Sequence, residues 1–111
     1  MQRLIIISSF VFALVPNAFA ETMTAKQIEE ELIGRTLCIT AKAGVVCARH
    51  KAGGTSEIVS GLEKQKGTWK LKGNKLCVTW EKIRAGKEGC AGYDKTKNAF
   101  SSPSFGKITV K

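Results

Sequence analysis

The chain has 111 residues, four cysteines, one histidine and a formal net charge of +9, from 18 lysines and arginines against nine acidic residues. That length allows one small domain with a thin core, which is expected to need covalent staples. The charge excludes a preference for cationic partners and favours anionic ones. No Gly-rich phosphate loop, GxSxG elbow or zinc-binding spacing occurs, so the common nucleotide-binding, hydrolase and zinc-enzyme classes have no support.

Residues 1–20 read as a cleavable export signal. Arg3 supplies the positive start, Leu4 to Val15 is a short apolar run, and Pro16-Asn17 breaks it. Ala18-Phe19-Ala20 then offers small residues at the two positions a signal peptidase reads. The run is shorter than the roughly 20 residues a spanning helix takes, and no cysteine marks a lipid-anchoring point. The expected mature protein is Glu21–Lys111, a single domain in an oxidising compartment, periplasmic or secreted, with no transmembrane segment.

A short helix should open the mature chain. Thr24 is a good N-cap, Gln27 completes a capping box, and Met23 with Ile28 can form a hydrophobic staple. Ile28, Leu32 and Ile33 make one apolar stripe, with Glu29, Glu30 and Glu31 mostly facing away from it. Gly34 sits where a left-handed cap belongs. So short a helix is not stable alone and must dock its stripe.

Beyond Gly34 the period becomes alternating. Thr36–Thr40, Val45–Ala48 and Glu57–Val59 are the first candidate strands. Thr68–Lys72 points Trp69 and Leu71 inward, and Lys70 and Lys72 outward. Gly73-Asn74 is a tight hairpin turn, and Leu76–Trp80 returns with Leu76, Val78 and Trp80 inward. Cys90–Tyr93, Asn98–Ser101 and Lys107–Val110 give up to three more short strands. The expected fold is mainly β: an antiparallel meander curling into a small open barrel or sandwich, with one N-terminal helix.

Four cysteines in an exported chain read as two disulfides, with three possible connectivities. A first hairpin turning at Lys42-Ala43 sets Cys38 opposite Cys47. A second turn centred on Ile83-Arg84 sets Cys77 opposite Cys90. Directly opposed residues lie within disulfide range, so these two cross-strand bridges, on the face away from the apolar stripe, are the simplest pairing.

Chemistry is sparse. His50, between Arg49 and Lys51, reads as a solvated strand-end histidine. The flanking cations disfavour its charged form, and no nearby residue supplies an orienting carboxylate or a nucleophile. No catalytic, metal or cofactor site is expected. The best binding candidate is a cluster of Lys64, Lys66, Lys70, Lys72 and Lys75, followed by Lys82, Arg84 and Lys87 on the next turn. Trp69 and Trp80 alternate with lysine as core residues of a half-buried sheet do, unlike a base-stacking platform.

Met23-Thr24-Ala25-Lys26-Gln27-Ile28, Leu32-Ile33-Gly34, Gly67-Thr68-Trp69, the run Leu76-Cys77-Val78-Thr79-Trp80 and the later Cys90 resemble a family of small exported alphaproteobacterial proteins of unknown function. The shared pattern is a leader helix, a GTW strand, an LCxxW strand and a later cysteine. The resemblance spans residues 23–93. It implies a periplasmic or secreted β-rich domain and brings no activity or site. The resulting expectation is a monomeric, non-enzymatic exported β-domain binding anionic envelope or host-surface components through its basic face. Its partners would be an anionic polysaccharide, a lipid headgroup or an exported protein. The alternative is an inhibitor or accessory protein acting on another exported protein.

Overall fold

The computed structural model describes residues 20–111, so the expected export signal lies outside the described residues apart from Ala20. A two-residue strand, β1 (Glu21–Thr22), leads into helix α1 (Ala25–Glu31). The helix start is built as its sequence predicts. Thr24 Oγ1 accepts the Gln27 N–H at 3.2 Å and Gln27 Oε1 accepts the Thr24 N–H at 2.9 Å, which satisfies two donors that a helix start leaves orphaned.

Nine further strands follow: β2 (Thr36–Ala41), β3 (Gly44–Lys51), β4 (Thr55–Ser60), β5 (Lys66–Lys72), β6 (Lys75–Trp80), β7 (Gly89–Ala91), β8 (Asp94–Lys95), β9 (Phe100–Ser102) and β10 (Gly106–Val110). They form one antiparallel ten-stranded sheet in the order β1-β8-β9-β10-β2-β3-β4-β5-β6-β7. The sheet curls into an open half-barrel, and its edge strands β1 and β7 do not pair with each other.

Several strands are longer than their apolar pattern suggests. β3 runs on through Arg49, His50 and Lys51, and β4 begins at Thr55. Ladder hydrogen bonds need only backbone, so polar residues extend a strand wherever a neighbour is present to pair with. β1 and β8 carry no pattern at all and exist because β1 pairs with β8 and β8 with β9.

Alternation gives the sheet one apolar face. Leu37 lies opposite Ala48 and Val110, Ile39 opposite Val46 and Ile108, Trp69 opposite Val78, and Leu71 opposite Leu76. Opposed residues share a face, so all of these point to the concave side. Cys38 faces Cys47, and Cys77 faces Cys90, on the convex side. Both pairs are disulfide-bonded, with Cα atoms 4.1 and 4.0 Å apart. The first turn consists of Lys42 and Ala43, because Ala41 pairs with Gly44. Two such bridges are compatible with an oxidising, exported location. No helix among the described residues is long and apolar enough to cross a membrane.

The helix lies across one end of the half-barrel. At its start, Asn74 of the β5–β6 turn accepts the Ala25 N–H through Oδ1 at 2.9 Å. Beyond its end, the Gly34 N–H donates to the His50 carbonyl of β3 at 2.7 Å. Between these ties, Met23, Ile28 and Leu32 are buried against Leu37, Leu76, Ala91, Tyr93 and Ile108. Ile33 packs at the margin of this cluster, only partly buried. The core therefore sits at the helix-covered end. Leu32 is fully buried in it, so Leu32→Ala should cost about 2–5 kcal/mol. Urea unfolding checks this, and a variant as stable as the parent would mean the helix contributes no core.

Candidate functional site

The helix covers only part of the concave face. The uncovered part is a cavity of about 510 Å³, within the roughly 300–1,000 Å³ typical of small-molecule sites. Its floor is shared with the core: Leu37, Leu76, Ala91, Tyr93 and Ile108. Its walls are Ile39, Val46, Ala48, Ile58, Val78 and Trp80. Its mouth is formed by the β2–β3 turn, Leu62, Ile83, Arg84, Ser104 and Phe105. Leu62 and Phe105 are 44% and 43% exposed. Large apolar side chains at an open rim leave apolar surface unspent on folding.

Among the described residues, few polar groups converge on this space. One is Arg84, in the tight turn Ile83–Gly86 that links β6 to β7. Arg84 and Ala85 both adopt left-handed backbone, with φ of 59° and 55°, a conformation that costs non-glycine residues free energy. The arginine stem lies over Gly89, which faces the cavity from β7. A Cβ at Gly89 would come within 2.9 Å of Arg84 Nε and 3.0 Å of Cδ. Glycine thus makes a seat for the arginine stem beside the mouth. No carboxylate pairs with Arg84 among the described residues. The acidic groups of neighbouring segments are engaged elsewhere: Glu63 with Lys82, Glu81 with the Lys66 N–H, and Glu88 with Lys72 and Lys70.

His50 is the second polar group, and the structure overturns its reading as a solvated strand-end residue. It is 5% exposed and lines the cavity wall. Its Nδ1 lies 2.7 Å from the Ser56 hydroxyl, across the β3–β4 pair. Trp80 reaches over Gly67 towards the same row, with ring centroids 6.2 Å apart. A Cβ at Gly67 would meet Trp80 Cε3 at 3.0 Å and the Thr79 carbonyl at 2.4 Å. Burial, rather than the flanking cations, pushes the imidazole down to about 4. The sequence carried no sign of this, because the residue that satisfies His50 comes from the next strand.

A serine beside a histidine invites comparison with a catalytic dyad. Ser56, however, is 2% exposed and does not line the cavity. The nearest carboxylate in sequence, Glu57, pairs with Arg49 and Lys51. Without an orienting acid, and with a proton affinity so reduced, the imidazole is a weak base. The geometry is that of a buried polar pair satisfying itself. Tyr93 at the cavity floor is likewise buried, which pushes its phenol up to about 12. The one grouping of metal-type ligands among the described residues, Cys77, Glu88 and Cys90, consists of two disulfide sulfurs and a lysine-bound carboxylate.

The expected lysine cluster lies on the outside. Lys66, Lys70 and Lys72 alternate along β5 and share the convex face with Lys75 of β6, which is paired opposite Lys72. Glu88 sits among them. Lys72 bonds its carboxylate at 2.7 Å and holds its pKa below the usual carboxylate range. Lys64 is set apart, in a shallow groove with Arg49, Glu57, Lys66 and Glu81. Trp69 packs against the core, whereas Trp80 lines the cavity.

No family model, no curated protein and no solved structure is significantly similar to this chain.

The buried imidazole makes stability depend on pH. His50 stays neutral in the fold down to about pH 4, while in the unfolded chain it takes a proton near 6.5. The unfolded state therefore binds more protons between those values. The contribution of neutral His50 is complete above about pH 6.5 and is lost as pH falls towards 4, by up to about 3 kcal/mol. Urea unfolding at stepped pH should show this decline, and His50→Gln should flatten it. An equally steep decline in the variant would assign the effect to other groups.

Proposed function

We propose that this chain is a non-enzymatic binding protein of the periplasm or the secreted space that holds an apolar small molecule in its half-barrel. The observation that carries this reading is the 510 Å³ apolar cavity left beside the helix-covered core. Its rim is largely apolar apart from Arg84 and Ser104 and its inner polar groups are few, the usual composition of a pocket that binds by desolvation and orients by one or two contacts. Non-enzymatic action is supported by the self-satisfied His50–Ser56 pair and its missing acid. The wild-type protein should enhance the fluorescence of a neutral apolar dye such as Nile red saturably. Ala48→Phe on the wall, or Ala41→Trp at the exposed mouth, should weaken that binding severalfold while circular dichroism stays unchanged. Equal dye binding by folded variants would remove the cavity from the account.

The convex lysines favour a second, compatible reading: attachment to anionic envelope or host-surface components, either polysaccharide or lipid headgroups. It is supported by four lysines on one face, of which Lys70 and Lys72 contact a carboxylate, Glu88. Each exposed contact is weak and salt-screened, but several add up near an anionic surface. Changing Lys70, Lys72 and Lys75 together to glutamine should leave the unfolding midpoint within the spread of ordinary surface substitutions. It should lower the salt concentration that elutes the protein from heparin. An unchanged elution point would reduce these lysines to sheet-edge protection and solubility.

A further inference from the structure

The cavity has a built-in polarity, and it bears on what kind of molecule fits. Its floor and walls are mostly apolar, and among the described residues its one charged lining residue, Arg84, is at the mouth. We propose that the ligand is a single-chain anionic amphiphile, a long-chain carboxylate, with its chain in the half-barrel and its headgroup on Arg84. This inference rests on the cavity reading above and specifies its ligand.

Three observations carry it. First, Arg84 is a cation without a carboxylate partner among the described residues, although acidic side chains occur at Glu81 and Glu88 on either side of its turn. Those acids are committed to lysines or to backbone, so the guanidinium fork is left for an external anion. Second, the arginine has a seat for its stem, although the side chain is exposed. Its backbone is left-handed, and its stem occupies the space that Gly89 leaves on the inner face of β7. A turn that holds arginine and alanine where glycine is favoured accepts strain to set a side chain. Third, the mouth combines this charge with exposed Leu62 and Phe105, so an entering molecule meets apolar surface and a cation together.

The chemistry follows from the fork. A guanidinium offers parallel N–H donors that match the two oxygens of one carboxylate. One such group suits a monoanionic head. The head would stay at the wetted rim while the chain displaces water from the apolar interior. Lys42, which lies between the lining residues Ala41 and Ala43, adds positive potential at the same opening.

The test displaces Nile red from the full mature protein with three amphiphiles of equal chain length: dodecanoate, dodecanol and dodecyltrimethylammonium, each below its micelle concentration. Dodecanoate should compete best and the cation worst. Arg84→Gln should weaken dodecanoate about two- to fivefold at low salt, the range expected for an exposed ion pair, and leave dodecanol unchanged. Arg84→Lys should fall between them. Nile red bound normally, with dodecanol competing as well as dodecanoate or with no effect of Arg84→Gln, would overturn the anionic ligand and leave the cavity standing. Absence of saturable Nile red binding together with no dodecanoate binding by isothermal titration calorimetry would overturn both.

Discussion

The constraint on which everything else depends is a mismatch of area. A curled ten-stranded sheet presents an apolar concave face from β7 round to β10, and α1 has only seven residues with which to cover it. Buried apolar surface is the main source of stability, and each Å² left facing water forgoes part of it. The helix is pinned at both ends, by Asn74 at its start and by the Gly34–His50 backbone bond after its end. Its stripe closes one end of the half-barrel, and the remainder stays open.

The two disulfides fit this economy. Both join neighbouring strands on the convex side, away from the core. They lock the registers of the β2–β3 and β6–β7 pairs, and register decides which side chains face inward. A slip of one residue would turn Leu37, Ile39, Leu76 and Val78 out to water. Stapling the outside thus preserves an inside whose packing is incomplete. Tight crossing of side chains over glycine does similar work within the face. Gly67 lets Trp80 lie across β5, and Gly89 receives the stem of Arg84.

Charge is divided between the two faces. The convex lysines are numerous, exposed and partly answered by Glu88, an arrangement worth little to stability. The concave face holds a single arginine with no acidic partner among the described residues, and one buried histidine kept neutral by its surroundings. Placement therefore separates these charges more than number does. Four of five lysines close together in sequence form a surface, whereas one arginine on a strained turn forms part of a pocket.

Much of this was legible in the chain itself. The capping box at Thr24 and Gln27, the stripe of Ile28 and Leu32, the inward alternation of Trp69, Leu71, Leu76 and Val78, the Gly73-Asn74 turn and the opposition of the cysteines all rest on neighbours within a few residues or on one short hairpin. Local spacing decides such features, so the sequence determined them alone. What it did not contain was the sum over strands distant in the chain. The pairing of β1 with β8, the burial of His50 beside Ser56, the turning of Trp80 towards a cavity and the seating of Arg84 over Gly89 depend on how far the sheet curls and how much of it the helix reaches. Curvature and coverage are properties of all ten strands together, and only the tertiary structure decided them.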